Sequence, residues 1–336
     1  MRYTIAILLS WLTINTFGQK REKTMPTELT YEQMVAHDPV MAYEDSVYYL
    51  YTTGYGVSCY SSKDLKQWHV EKPCMTALPQ WLQETQPFAK MHLWAPDVIY
   101  YGGEWHIFYS SSAFGKNTSL IGHLTTKTLD PRKAEFGWQD KGKIIQSIPN
   151  RDNWNAIDPN IYLDENGKPW MVFGSFWGGI KTVKLSDDLS AIAQPEEWHT
   201  LSSRPRSFEI PSEEAGDGAV EAPFVTKYGE YYYLFVSIDY CCRGSESTYK
   251  VVVGRSKNAV GPYVDQEGKE MQYDGGTLVI EGDKKRYSAV GHCSVYNDMP
   301  CGPIFVTHAY EMESGTPKLL IKKIDWSAGW PKLMDM

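Results

Sequence analysis

The chain is 336 residues long, is 42% hydrophobic and 22% charged, and carries 33 basic against 41 acidic residues for a net charge of −8. That balance suits a globular protein with a large core and excludes nucleic acid as a partner, because such binding rests on a basic surface. A neutral substrate needs no electrostatic steering, and the 23 Tyr and 12 Trp suit half-buried strands or flat rings that stack on sugars.

The N-terminus reads as an export signal over residues 1–19. Arg2 supplies a short positive region, residues 3–17 are largely apolar, and Gly18 offers a small residue before Gln19 and Lys20. The alternative is a buried N-terminal strand or helix. The apolar run is too short for a membrane span, and no cysteine stands near it to receive a lipid. The expectation is a secreted or periplasmic protein, free of the membrane after cleavage, whose residues 20–336 form a single monomeric domain.

From there one pattern recurs: an acidic or polar residue near a proline, an apolar strand, a Gly/Asp/Asn turn and an aromatic-rich strand. It starts at His37-Asp38-Pro39, Ala95-Pro96-Asp97, Asp158-Pro159-Asn160, Glu221-Ala222-Pro223 and, more weakly, Gly291-His292-Cys293. Apolar runs joined by such turns are hairpin chemistry, and a spacing of about 60–70 residues predicts four-stranded blades. The expected fold is all-β, a five-bladed β-propeller with four-stranded antiparallel blades around a central channel. A two-sheet sandwich is the alternative. The innermost strands of a propeller line its channel, so repeat-equivalent residues converge there, and Asp38, Asp97, Asp158 and Glu221 are placed at that equivalent position.

Six cysteines suit an oxidising compartment and lack zinc-site spacing. Cys59 with Cys74 and Cys293 with Cys301 are possible local bridges, while Cys241 and Cys242 are a vicinal pair or two buried thiols. The sequence does not choose among these pairings.

Clustered carboxylates suggest acid–base chemistry. Glycoside hydrolysis needs one carboxylic acid to protonate the leaving oxygen and one carboxylate to activate water or attack carbon, in environments that push their pKa values apart. Taken singly, an acid beside proline is more often a turn former.

The ordered runs His37-Asp38-Pro39, Trp94-Ala95-Pro96-Asp97, Asn155-Ala156-Ile157-Asp158-Pro159-Asn160, Gly174-Ser175-Phe176-Trp177-Gly178-Gly179-Ile180 and Glu221-Ala222-Pro223-Phe224 resemble family 43 glycoside hydrolases. With Cys241-Cys242-Arg243-Gly244 they are most similar to the endo-α-1,5-L-arabinanases, over about residues 36–332. The resemblance implies a five-bladed propeller and an inverting mechanism on arabinan and arabino-oligosaccharides. Asp38 would be the general base, Glu221 the general acid, and Asp158 the group that tunes and orients Glu221. An inverting pair stands roughly 6.5–9.5 Å apart to admit a water. Asp97 belongs to the blade motif and reads as structural or as a support behind the acids that touch substrate.

Trp94, Phe114 and Trp177 are the candidates for stacking on sugar rings, against core packing as the plainer reading. Asn155 and Ser175 are candidates to bind hydroxyls, and Arg243 to touch substrate or orient a carboxylate. The resemblance also implies a central metal, usually calcium, near His292 and held largely by water, because calcium prefers oxygen ligands. Cys293 departs from the family's Gly-His-Asn-Ser pattern at this point. Competing readings are an exo-acting arabinanase, an α-L-arabinofuranosidase or a β-xylosidase of the same fold, or a non-catalytic sugar-binding propeller.

Overall fold

Five antiparallel sheets follow one another along the chain in the computed structural model, which describes residues 26–336. The export signal read at residues 1–19 lies outside the described residues. The innermost strands are Val40–Glu44, His92–Tyr101, Asn160–Leu163, Val220–Tyr228 and Tyr287–Tyr296. Each pairs with the next strand in sequence, and the blade grows outward in chain order. Two additions modify the plan. Glu28–Thr30 adds an outer strand to the first blade, and the short Gly54–Tyr55 strand pairs with the innermost strand of the second.

Both faces of a blade meet a neighbour, so the strands read as unbroken apolar runs rather than as strict alternation. In the fourth blade's Tyr231–Ile238, the residues Tyr232, Leu234 and Val236 pack toward the third blade, whereas Tyr233 and Phe235 pack toward the fifth. The same division gives one apolar core between each successive pair of blades. Among the described residues, closure uses no exchanged strand. Met41, Leu50 and Trp68 of the first blade pack with Ile304, Val306 and Ile321 of the last, and the Ala36 N–H donates to the Pro317 carbonyl at 3.1 Å. This ring of blades replaces the sandwich alternative.

Polar side chains stitch the blades together along the channel. Asp97 accepts from the Ile161 N–H at 2.7 Å and from the Asn160 amide at 3.2 Å. Asn160 in turn accepts from the Val225 N–H at 2.8 Å, and Ser294 donates to the Pro39 carbonyl at 2.9 Å. Asp97, Asn160 and Ser294 hold the same repeat position, two residues beyond a left-handed residue. Asp97 is therefore not the equivalent of Asp38, as the motif alignment had it.

The cysteines divide by the same packing logic. Cys241 and Cys242 form a vicinal disulfide. Cys59 and Cys74 are free thiols buried in the core between the first two blades, and Cys293 and Cys301 are also free, so neither local bridge is formed.

Candidate active site

A left-handed residue stands just before or within the inner strand of every blade. These are Asp38, Ala95, Asp158, Ala222 and His292, with φ of 54°, 43°, 58°, 53° and 52°. Each conformation costs about 1 kcal/mol or more for a residue with a side chain, and such strain concentrates at functional sites. The strand register is broken at this point in the second, fourth and fifth blades, as in a bulge that re-aims a side chain. Glu221 sits one residue before its blade's left-handed position. It thus reaches the same cleft from a different backbone site than Asp38 and Asp158.

The strain is held by a ring of hydrogen bonds between blades. Thr53, Ser110, Ser237 and His308 occupy matching places on the second strands, and each accepts the N–H of the next blade's left-handed residue. The pairs are Ala95 to Thr53 at 2.7 Å, Asp158 to Ser110 at 3.1 Å, His292 to Ser237 at 2.8 Å and Asp38 to His308 at 3.1 Å. The third blade breaks the pattern because its matching residue, Gly174, has no side chain. The Ala222 N–H there donates to the Asp158 carboxylate at 3.1 Å. That exchange places Asp158 directly beside the residue that follows Glu221.

Asp38, Asp158, Glu221 and His292 meet in a cleft of about 760 Å³, with Trp94, Phe114, Ile157, Tyr249 and the Cys241–Cys242 disulfide among its walls. Asp38 accepts from the Thr53 hydroxyl at 2.5 Å, and its other oxygen lies 3.0 Å from His292 Nδ1. His37 Nδ1 approaches within 2.9 Å, too obliquely for a straight hydrogen bond but close enough for charge to act. Burial alone would raise the Asp38 pKa; the neighbouring His37 and His292 charges overcome it and hold the carboxyl well below its usual range.

The other two acids move the opposite way. Burial raises Glu221, against hydrogen bonds from Ser175 (2.7 Å) and Tyr249. Burial, with the Glu221 and Asp38 charges, pushes Asp158 up to about 8 despite the opposing His292 charge. Glu221 and Asp158 form one coupled unit that retains a proton at neutral pH. Burial disfavours a charged His292, but the surrounding carboxylates outweigh that and lift it to about 9. His308 is pushed down by burial and by His37, and stays neutral.

The remaining predicted residues separate. Trp94 and the exposed Phe114 line the cleft. Ser175 reaches it through Glu221, and its backbone bridges to Glu221 as well. Asn155 is buried and accepts from Ser119 at 2.6 Å. Trp177 is buried, donates its indole N–H to the Ser212 carbonyl at 2.8 Å, and lines a second cavity of about 430 Å³ rather than this cleft. Its motif is turn chemistry: a Cβ on Gly178 would lie 2.5 Å from the Asn153 carbonyl, and one on Gly179 would lie 2.3 Å from that of Ser202. Arg243 stacks on Tyr240 at 4.1 Å, and its side chain forms no ion pair among the described residues.

Sequence reasoning gave no role to His37, Thr53, Ser237, Tyr249, His308 or Tyr310. His37 stood inside a quoted motif, and Thr53, Ser237 and His308 could have been found by aligning the second strands of the repeat. Tyr249 stood in the family-like run Ser247-Thr248-Tyr249, and Tyr310 carries no signal beyond a strand aromatic. The Cys293 departure is harmless to the channel, because its side chain is buried in the core between the fourth and fifth blades. His292 fits the expected metal only as a lone ligand: no described protein group hydrogen-bonds its Nε2, and calcium would take the rest of its shell from water.

The family model "Glycosyl hydrolases family 43" matches residues 32–331. An extracellular exo-α-(1→5)-L-arabinofuranosidase of Cellvibrio japonicus is 45% identical, with 90% of this chain and 87% of that protein covered. An extracellular endo-α-(1→5)-L-arabinanase of Bacillus subtilis is 40% identical, over 88% and 86%. The structure of a Cellvibrio cellulosa α-L-arabinanase complexed with arabinohexaose superposes with a TM-score of 0.86 at 44% identity, covering 90% of this chain and 96% of that one. With a propeller fold, a cleft of buried acids and this extent of likeness, the chain belongs to glycoside hydrolase family 43.

Proposed function

We propose that this glycoside hydrolase cleaves α-1,5-L-arabinofuranosidic bonds in arabinan and arabino-oligosaccharides with inversion, outside the cytoplasm and as a monomer. The mechanism rests on two buried acids that share one cleft in opposite environments: His37 and His292 beside Asp38 favour its charged form, and burial of Glu221 favours its protonated form. Asp38 takes a proton from water as that water attacks the anomeric carbon. Glu221 donates its proton to the departing glycosidic oxygen. The two acids Glu221 and Asp158 share one proton; in the reactive state it sits on Glu221, where an ionised Asp158 opposes a second charge, and Asp158 fixes the Glu221 backbone through the Ala222 N–H. Thr53 and His292 hold Asp38 in place, and Ser175 holds Glu221.

The substrate rests on the arabinan-directed relatives and on Trp94 and Phe114, apolar faces beside a polar floor. We infer endo action, as in the Bacillus protein. A second reading, exo action, is favoured by likeness to the Cellvibrio enzyme and to an exo-1,5-α-L-arabinanase from a bovine ruminal library, 42% identical with a TM-score of 0.84. Calcium is part of the proposal, with His292 as its protein ligand. It would supply positive charge among the three carboxylates, a charge that the His292 proton otherwise provides.

The test is product sizing on linear and branched arabinan, with aryl arabinofuranoside and aryl xyloside alongside. Early mixed oligosaccharides from linear arabinan support endo action, and short products from chain ends alone support exo action. Turnover of the xyloside without attack on arabinan would overturn the substrate assignment.

A further inference from the structure

The Cys241–Cys242 disulfide remains unexplained by the acid chemistry, yet both cysteines line the same cleft as Asp38, Asp158 and Glu221. It is the sole disulfide among the described residues. Cys241 packs against Tyr249, Ala289 and Tyr310, so one end of the bridge is anchored in the wall. Cys242 is exposed toward the cleft and left-handed, with φ 65°. Its N–H donates to the Tyr310 hydroxyl at 3.0 Å, and that oxygen is 2.7 Å from His37 Nε2. Just beyond, Gly244 approaches Gly315 of the fifth blade so closely that a Cβ on Gly315 would lie 3.0 Å from Gly244 Cα. The loop is thus clamped to a neighbouring blade, and a strained residue is held at the cleft wall with its sulfur 3.8 Å from the Tyr310 hydroxyl and 3.9 Å from His37 Nε2.

A disulfide donates no hydrogen bond and accepts only weakly, while its sulfurs are polarisable and attract by dispersion. Such a surface suits the C–H face of a sugar ring and not its hydroxyls. The aromatic wall, Trp94 and Phe114, comes from the second blade, whereas the disulfide follows the second strand of the fourth. The two surfaces therefore approach the polar floor from non-adjacent blades.

We propose that the Cys241–Cys242 disulfide is a specificity-determining element of the cleft, an apolar ledge against which an arabinofuranosyl unit packs its C–H face. The inference rests on the arabinan reading above. Its role is binding, so losing it weakens substrate capture while leaving the acid–base step in place.

The test compares oxidised wild-type enzyme, the same enzyme reduced with a phosphine, and Cys241→Ala/Cys242→Ala, with thiol titration to verify reduction and thermal melting to verify folding. Steady-state kinetics on linear arabino-oligosaccharides should show KM raised about three- to tenfold in both altered forms, with kcat within about twofold. The reduced wild-type arm decides the matter if the double variant fails to fold. An unchanged KM after verified loss of the bridge would overturn the proposal. So would a fall in kcat at constant KM, which is the mark of a purely structural bridge. Oxidised wild-type that does not attack arabinan at all would instead overturn the substrate reading, and the two failures are distinguishable.

Discussion

Asp97 and Asp38 both stand next to a proline in the innermost part of a blade, and both are buried, yet the channel uses them differently. Asp97 lies further along its strand, where a cavity of about 880 Å³ opens at the other end of the channel. Its carboxylate is committed to Ile161 and Asn160 of the next blade, and burial pushes its pKa up to about 7. Asp38 sits at a strained backbone position among histidines, which hold it ionised. A carboxylate that satisfies a neighbouring backbone is cement. One kept charged beside a cleft is available for chemistry.

Substitutions that erase this contrast should differ in kind. Asp38→Asn and Glu221→Gln should each lower kcat on linear arabinan by about 10²–10⁴-fold while the protein remains folded, as read by kinetics and melting curves. Either variant with near wild-type turnover would break the assignment. Asp158→Asn comes next. With Asn at 158 the pair no longer shares a proton, and Glu221 loses the like charge that opposes its ionisation in the reactive state, so its pKa falls and the alkaline limb of the rate profile shifts acidward. An unmoved limb would contradict the tuning role.

At the other end of the channel, Asp97→Asn should chiefly cost stability, about 1–3 kcal/mol, because an amide donor would face the donors of Ile161 and Asn160. Its kcat should stay within a few-fold, and a loss as large as that of Asp38→Asn would erase the distinction. The smallest effect concerns the second blade, where His106 Nδ1 and His123 Nε2 lie 2.8 Å apart. Burial lowers both pKa values, that of His123 to about 3. The unfolded histidines take up protons near pH 6.5 and the folded ones do not, so stability is lost as pH falls from 6.5 toward 3. His123→Phe, placed on the stacked Phe108 ring, should flatten that acid decline in melting temperature. An unchanged decline would locate acid sensitivity elsewhere.

The five blades were legible because each must carry its own hairpins, and turns and aromatic strands leave a visible period. The acids were legible as a set, but their register was not. Asp97 and Glu221 fall near the same Pro-containing motif as Asp38, and only the left-handed residue in each blade shows that they occupy different places. Trp177 reads as a sugar platform because it lies in a family-like motif, whereas the glycines of that motif admit backbone close enough to bury it. The repeat alignment marks the position of His308, but not that its ring meets Asp38, since that contact arises where the last blade meets the first.

Asp38 acts through water in this mechanism rather than by attacking carbon. Proton NMR of the first sugar released from α-1,5-linked arabino-oligosaccharides reads that directly. Inversion predicts the β-anomer as the initial product, followed by slow equilibration. Initial release of the α-anomer would mean a double displacement and would contradict the roles assigned to Asp38 and Glu221.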